Sequence, residues 1–187
     1  GGLIVGLLLT GLIITVFAKR RPAPVNKVFG KLQIISSAWF ALTHGANDGQ
    51  KTMGIIALIL FSAGLIPELE IPLWVIFAAA AAMGLGTFFG GYKVIKTLGV
   101  KITRLRPYQG FAAETGGGLM LAAFAILGIP ASTTHAITGT IMGAGAARRK
   151  LAVRWKVSRQ IVFSWIITIP GAAAMGIGFT YLIHLFV

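Results

Sequence analysis

The chain has 187 residues, 56% of them hydrophobic and 11% charged, with no cysteine, and its mean hydropathy is +0.86. A water-soluble domain carries about a quarter charged residues, so a soluble fold is excluded and an all-α integral membrane protein is expected; disulfides and thiolate metal sites are excluded with it. The net charge of +13 does not point to nucleic acid, because the basic residues sit in short loops between apolar runs with no aromatic-interleaved basic surface.

The first apolar segment, 1 to 18, fits a single crossing, for which ~20 residues suffice. It begins at Gly1, already apolar and without methionine, which reads as a cut through a longer polypeptide; it lacks the basic start of a signal peptide and ends on basic residues rather than a small-residue cleavage site. A basic loop follows (Lys19, Arg20, Arg21, Lys27, Lys31). The second segment, 32 to 66, is too long for one straight crossing and carries a polar, glycine-rich interruption. It leads to an acidic connection at Glu68 and Glu70. The third, 73 to 91, fits one crossing and ends at a second basic loop (Lys93, Lys96, Lys101, Arg104, Arg106). The fourth, 110 to 147, is again too long, and a third basic stretch (Arg148, Arg149, Lys150, Arg154, Lys156, Arg159) separates it from the last, 160 to 187.

Basic loops mark the cytoplasmic side. Segment 110 to 147 then starts and ends there, so it enters and returns or crosses twice. Segment 32 to 66 joins the two sides, so it crosses an odd number of times and is expected to be a broken helix, or a re-entrant piece followed by a span. The predicted fold is a bundle of transmembrane helices with one broken helix and one re-entrant helical hairpin, the devices by which secondary transporters bring backbone dipoles to the membrane midplane. Gly84, Gly86, Gly90, Gly91 and Gly116 to Gly118 predict close helix contacts, and the basic loops predict contact with anionic lipid headgroups.

Three polar clusters interrupt the apolar segments. In His44-Gly45-Ala46-Asn47-Asp48-Gly49-Gln50-Lys51-Thr52, an aspartate at membrane depth calls for a cation, a proton or a partner; pairing of Asp48 with Lys51 is the structural alternative. In Ala113-Glu114-Thr115-Gly116-Gly117-Gly118, Glu114 is the only acidic residue of its segment and either serves a coupling ion or pairs with Arg104 or Arg106. In Gly128-Ile129-Pro130-Ala131-Ser132-Thr133-Thr134-His135, Gly128 ends one helix and Pro130 suits the first turn of the next. The N–H groups of that turn and the positive helix end form an anion site, to which Ser132, Thr133 and Thr134 add neutral donors. The alternative is that these hydroxyls cap the helix or bond to their own backbone. His135 is either a packed hydrogen-bonding residue or a proton carrier.

Catalysis is not supported. Ser132 and His135 could meet on one helix face, but no nearby acid orients the histidine, and no metal or nucleotide motif occurs, so neither cofactor nor bound metal is expected.

Gly45-Ala46-Asn47-Asp48 with Gln50-Lys51-Thr52-Met53-Gly54, then Gly110 to Gly117, then Ile129-Pro130-Ala131-Ser132-Thr133-Thr134-His135, resembles the inorganic phosphate transporter (Pit) family over almost the whole chain, in particular the C-terminal half of a bacterial low-affinity member. The resemblance implies one half of an inverted-repeat transporter, with 1 to 187 as a single transmembrane domain, the N-terminal half missing, and phosphate bound between halves. It implies phosphate contacts from Ser132, Thr133 and Thr134, and coupling-ion roles for Asn47, Asp48 and Glu114. Gly49-Gln50-Lys51-Thr52 replaces the small residues of GANDVANA and is similar to the proton-coupled bacterial subgroup, so a proton is implied before sodium, with a neutral divalent metal-phosphate as cargo. The implied location is the bacterial cytoplasmic membrane, multi-pass, with homo-oligomers allowed. Two alternatives remain: a carrier of another oxyanion such as sulfate, and a non-transporting scaffold subunit assembling through its glycine faces.

Overall fold

Every regular element among the described residues is helical. The computed structural model describes residues 1–149 and 152–184; Lys150 of the third basic stretch and residues 185–187 of the last apolar segment lie outside them. The helices are α1 (Gly2–Val16), α2 (Pro22–Ser62), α3 (Leu73–Lys96), α4 (Pro107–Ile126), α5 (Thr133–Ala146) and α6 (Trp155–His184), with a π-helical stretch over Thr97–Ile102. The chain divides into two compact units, Gly1–Val153 and Arg154–Val187.

In the first unit α4 lies against α1, α2 and α5, α1 packs on α5, and α3 packs on α2. Without a hydrophobic drive between lipid-bathed helices, close packing at small residues holds such bundles together. A Cβ on Gly6 would lie 2.2 Å from the Thr140 carbonyl oxygen, and one on Gly143 would lie 2.1 Å from that of Leu3. The α1–α5 crossing is therefore backbone on backbone. The triplet on α4 acts in the same way: Gly116 faces Val5 and Leu9, Gly117 faces Phe40, and Gly118 faces Trp39. The expected close contact at 116 to 118 is present. On α3, Gly84, Gly86 and Gly90 meet nothing within 4 Å, and Gly91 meets only Thr87 of its own helix, so the contact expected of that face is absent among the described residues.

Helix α4 ends in a Schellman turn. Gly128 takes φ +66°, its N–H donates to Ala125 O, and the Ile129 N–H donates to Phe124 O. Glycine adopts this left-handed conformation without a Cβ clash. Across the six residues between α4 and α5 the chain reverses: Gln109 at the start of α4 donates to Ala144 O near the end of α5 at 2.7 Å, which closes the base of an antiparallel hairpin. With 14 residues, α5 spans about 21 Å, short of the ~30 Å of a hydrocarbon core.

Two expectations are corrected. The break expected in 32 to 66 is not there: α2 runs unbroken for 41 residues, about 60 Å. Gly45, Gly49 and Gly54 keep helical backbone, since no glycine but Gly64 and Gly128 has positive φ among the described residues. Asn47 does not cap a new helix; its amide donates to Thr43 O one turn back and across to Leu121 O. Second, Pro130 is not in the first turn of α5. That helix starts at Thr133 with Ser132 as N-cap, and Pro130 helps to hold the tip non-helical because proline disfavours helical backbone in the residue before it.

Helices α3, over Leu73–Tyr92, and α6, over Trp155–His184, are long and apolar enough to cross a membrane. The α6 unit carries its apolar side chains exposed, including Phe163, Ile166 and Ile169, and has Pro170 inside the helix.

Candidate functional site

Helices α2 and α4 run in the same direction. Contacts climb in step from Phe29 with Phe111, through Ser36 with Glu114, to Asn47 with Leu121. Just beyond Asn47, α2 presents Asp48 and, one turn on, Lys51 to the hairpin tip. From there α2 continues to Ser62, so the tip meets it well before its far end.

The Asp48 carboxylate joins the two elements. Its Oδ2 accepts from the Thr133 hydroxyl at 2.9 Å and lies 3.1 Å from His44 Nε2, while Oδ1 lies 3.1 Å from Lys51 Nζ. The Lys51 ammonium also donates to the carbonyl of Ala131 in the tip. The pairing of Asp48 with Lys51 is therefore real, and Lys51 reaches past it to the other element. Asp48 is 30% exposed within this chain, half-buried rather than sealed.

The three tip hydroxyls have different environments. Ser132 Oγ accepts from the His135 N–H at 3.3 Å, the N-cap arrangement that serves its own helix. This Ser132–His135 contact is made through the His135 backbone. Thr133 is buried and donates to Asp48. Thr134 is exposed. The N–H groups of Thr133 and Thr134 precede the intrahelical ladder and carry the positive end of the dipole.

Glu114 stands apart. It accepts from Ser36 Oγ at 2.6 Å and from Gln33 Nε2 at 3.4 Å, so neutral groups of α2 hold the carboxylate; among the described residues no ion pair to Arg104 or Arg106 is formed. Ser36 precedes Asp48 by twelve residues, about 18 Å along α2. The structure brings Asp48, Lys51 and Thr133 together and leaves Glu114 in a second polar contact nearer the hairpin base. Gln33 and Ser36 were not singled out in the sequence. Their signal is two polar side chains three residues apart, on one helical face, in an apolar segment.

A helical membrane bundle in which a hairpin tip meets a charged side-chain cluster on a neighbouring helix has the architecture of a carrier. The phosphate transporter family matches residues 5–176, and the chain belongs to that family, one of transporters rather than enzymes. It is 50% identical over 173 residues to a Rhizobium meliloti (strain 1021) protein and 40% identical over 174 residues to a Bacillus subtilis (strain 168) protein, both named "Probable low-affinity inorganic phosphate transporter". In each case the match covers 92% of this chain and 52% of the relative, so the chain spans about half the length of the curated relatives it matches. A solved structure named "The sodium-dependent phosphate transporter" superimposes with a TM-score of 0.69 at 36% identity, over 78% of this chain and 37% of that one.

Proposed function

We propose that the full-length protein imports inorganic phosphate across a bacterial cytoplasmic membrane by alternating access, driven by proton symport, and that this chain is its C-terminal half, related by an inverted repeat to an N-terminal half. The observation that carries the reading is the Thr133–Asp48 hydrogen bond, which ties a helix N-terminus suited to an oxyanion to the carboxylate suited to the coupling ion. The names of the relatives support phosphate as cargo. The α5 length of about 21 Å and the meeting of tip and α2 short of Ser62 support a re-entrant hairpin.

In this scheme the tip amides with Ser132, Thr133 and Thr134 hold phosphate, travelling as the ion or as a neutral divalent metal complex. Asp48 carries the proton, Asn47 fixes α2 against α4 at that level, and Glu114 is a second titratable group on the route. Uptake of phosphate by vesicles bearing the full-length protein should collapse in Ser132→Ala with Thr133→Val; unchanged uptake refutes the site. An imposed pH gradient should drive uptake and a sodium gradient should not. A second reading, sodium coupling, rests on the name of the solved neighbour, and uptake driven by sodium alone would select it. Competition by sulfate distinguishes a general oxyanion carrier.

A further inference from the structure

Lys51 is the one basic residue outside the three basic stretches, in a region where an unpaired ammonium is costly. Its charge is satisfied from two elements at once, by Asp48 Oδ1 on α2 at 3.1 Å and by the Ala131 carbonyl in the tip. Ala131 lies between α4 and α5, so its carbonyl is not part of a helical ladder. A carboxylate with a carbonyl of non-helical backbone is the kind of oxygen set by which carriers hold a coupling cation. Here a side chain of the protein holds both oxygens.

We propose that Lys51 is a tethered cation in the coupling site: its ammonium takes the oxygens of Asp48 and Ala131, holds the tip to α2 and keeps sodium out. The inference rests on the reading of the Asp48–Thr133 contact as the coupling site and names what decides the ion used there. Like charges a few ångströms apart repel strongly outside bulk water, and a tethered cation competes at the advantage of an intramolecular partner. His44, on the other carboxylate oxygen, does not take its place, because it reaches Asp48 from one turn back on the same helix and so does not join α2 to the tip. A proton on Asp48 would loosen the ammonium without any metal ion entering, which fits a carrier whose coupling does not need sodium.

The experiment is sodium binding to the purified full-length protein, by calorimetric titration with sodium chloride against choline chloride, with phosphate uptake in proteoliposomes alongside. Wild type should show no saturable sodium binding. Lys51→Met should gain saturable sodium binding and sodium-stimulated uptake, both lost when Asp48→Asn is added; Lys51→Arg, which keeps a cation, should gain neither. Monodisperse Lys51→Met that binds no sodium overturns the proposal, as does wild-type sodium binding that Asp48→Asn removes. Should Lys51→Met aggregate, Lys51→Gln carries the same expectation, and the wild-type titration decides independently of any variant. Absence of phosphate uptake by wild type would defeat the transport reading alone, since the sodium titration still scores Lys51.

Discussion

Thr133, the first residue of α5, donates its hydroxyl to Asp48 in the middle of α2 at 2.9 Å, joining positions 85 apart in the sequence. The carboxylate therefore senses the position of the hairpin tip, and the tip cannot move away from α2 without breaking a hydrogen bond to a charged group. Such bonds contribute ~1.5–3 kcal/mol. In the proposed scheme this contact is the means by which an ion at Asp48 and an anion at the tip change each other's affinity.

Thr133→Val keeps the shape of this buried side chain and removes the donor. Phosphate uptake by the full-length protein should fall about tenfold, the rate equivalent of ~1.4 kcal/mol, while Thr133→Ser retains most of it. Initial rates of labelled phosphate entry into vesicles measure this. Equal rates in Thr133→Val and wild type would remove the hydroxyl from the mechanism.

The Glu114 contact should behave as a separate unit. Ser36→Ala removes the donor of this hydrogen bond and Glu114→Gln the charge of its acceptor, so their effects on thermal stability in detergent should be non-additive, by the ~0.5–3 kcal/mol typical of partners in contact. Glu114 meets α2 at Ser36, a level about 18 Å along that helix from Asp48, so Glu114→Gln and Asp48→Asn should add to within ~0.5 kcal/mol. Strong coupling in the second pair would mean that one network joins both carboxylates.

Much of this was legible in the sequence. Composition pointed to a membrane chain and the length of the apolar runs to helices, Gly128 marked the hairpin turn because a helix ends cheaply on a residue free to take positive φ, and the Asp48–Lys51 spacing allowed the ion pair on one helix face. The continuity of α2 was not legible. Gly45, Asn47 and Gly49 read locally as a break, and what overrides them is non-local: Asn47 finds Leu121 O on α4, so an amide that could have capped a new helix instead crosslinks an intact one. The reach of Lys51 to Ala131 is equally non-local, since 80 residues separate them. The split of the hydroxyl cluster into a cap, a buried donor and an exposed group follows from where α5 starts, three residues past the proline that marked it in the sequence.

Two sets of glycines, alike in sequence, should differ sharply on substitution. Gly143→Ala would put a Cβ 2.1 Å from the Leu3 carbonyl oxygen, and Gly6→Ala one 2.2 Å from that of Thr140. These neighbours are backbone and cannot swing aside, so helices α1 and α5 must separate along the crossing. Overpacking of this kind costs ~1–3 kcal/mol or more, and because α5 carries the tip, uptake should fall with stability. Gly84→Ala and Gly86→Ala on α3 meet open space and remove a glycine from a helix interior, a change that favours the helix by ~0.5–1 kcal/mol. Melting temperatures of the detergent-solubilised full-length protein should therefore drop for the first pair and hold or rise for the second. A large drop at Gly84 or Gly86 would show that the α3 glycine face is a packing surface in the complete protein, covered by sequence beyond these 187 residues or by another copy.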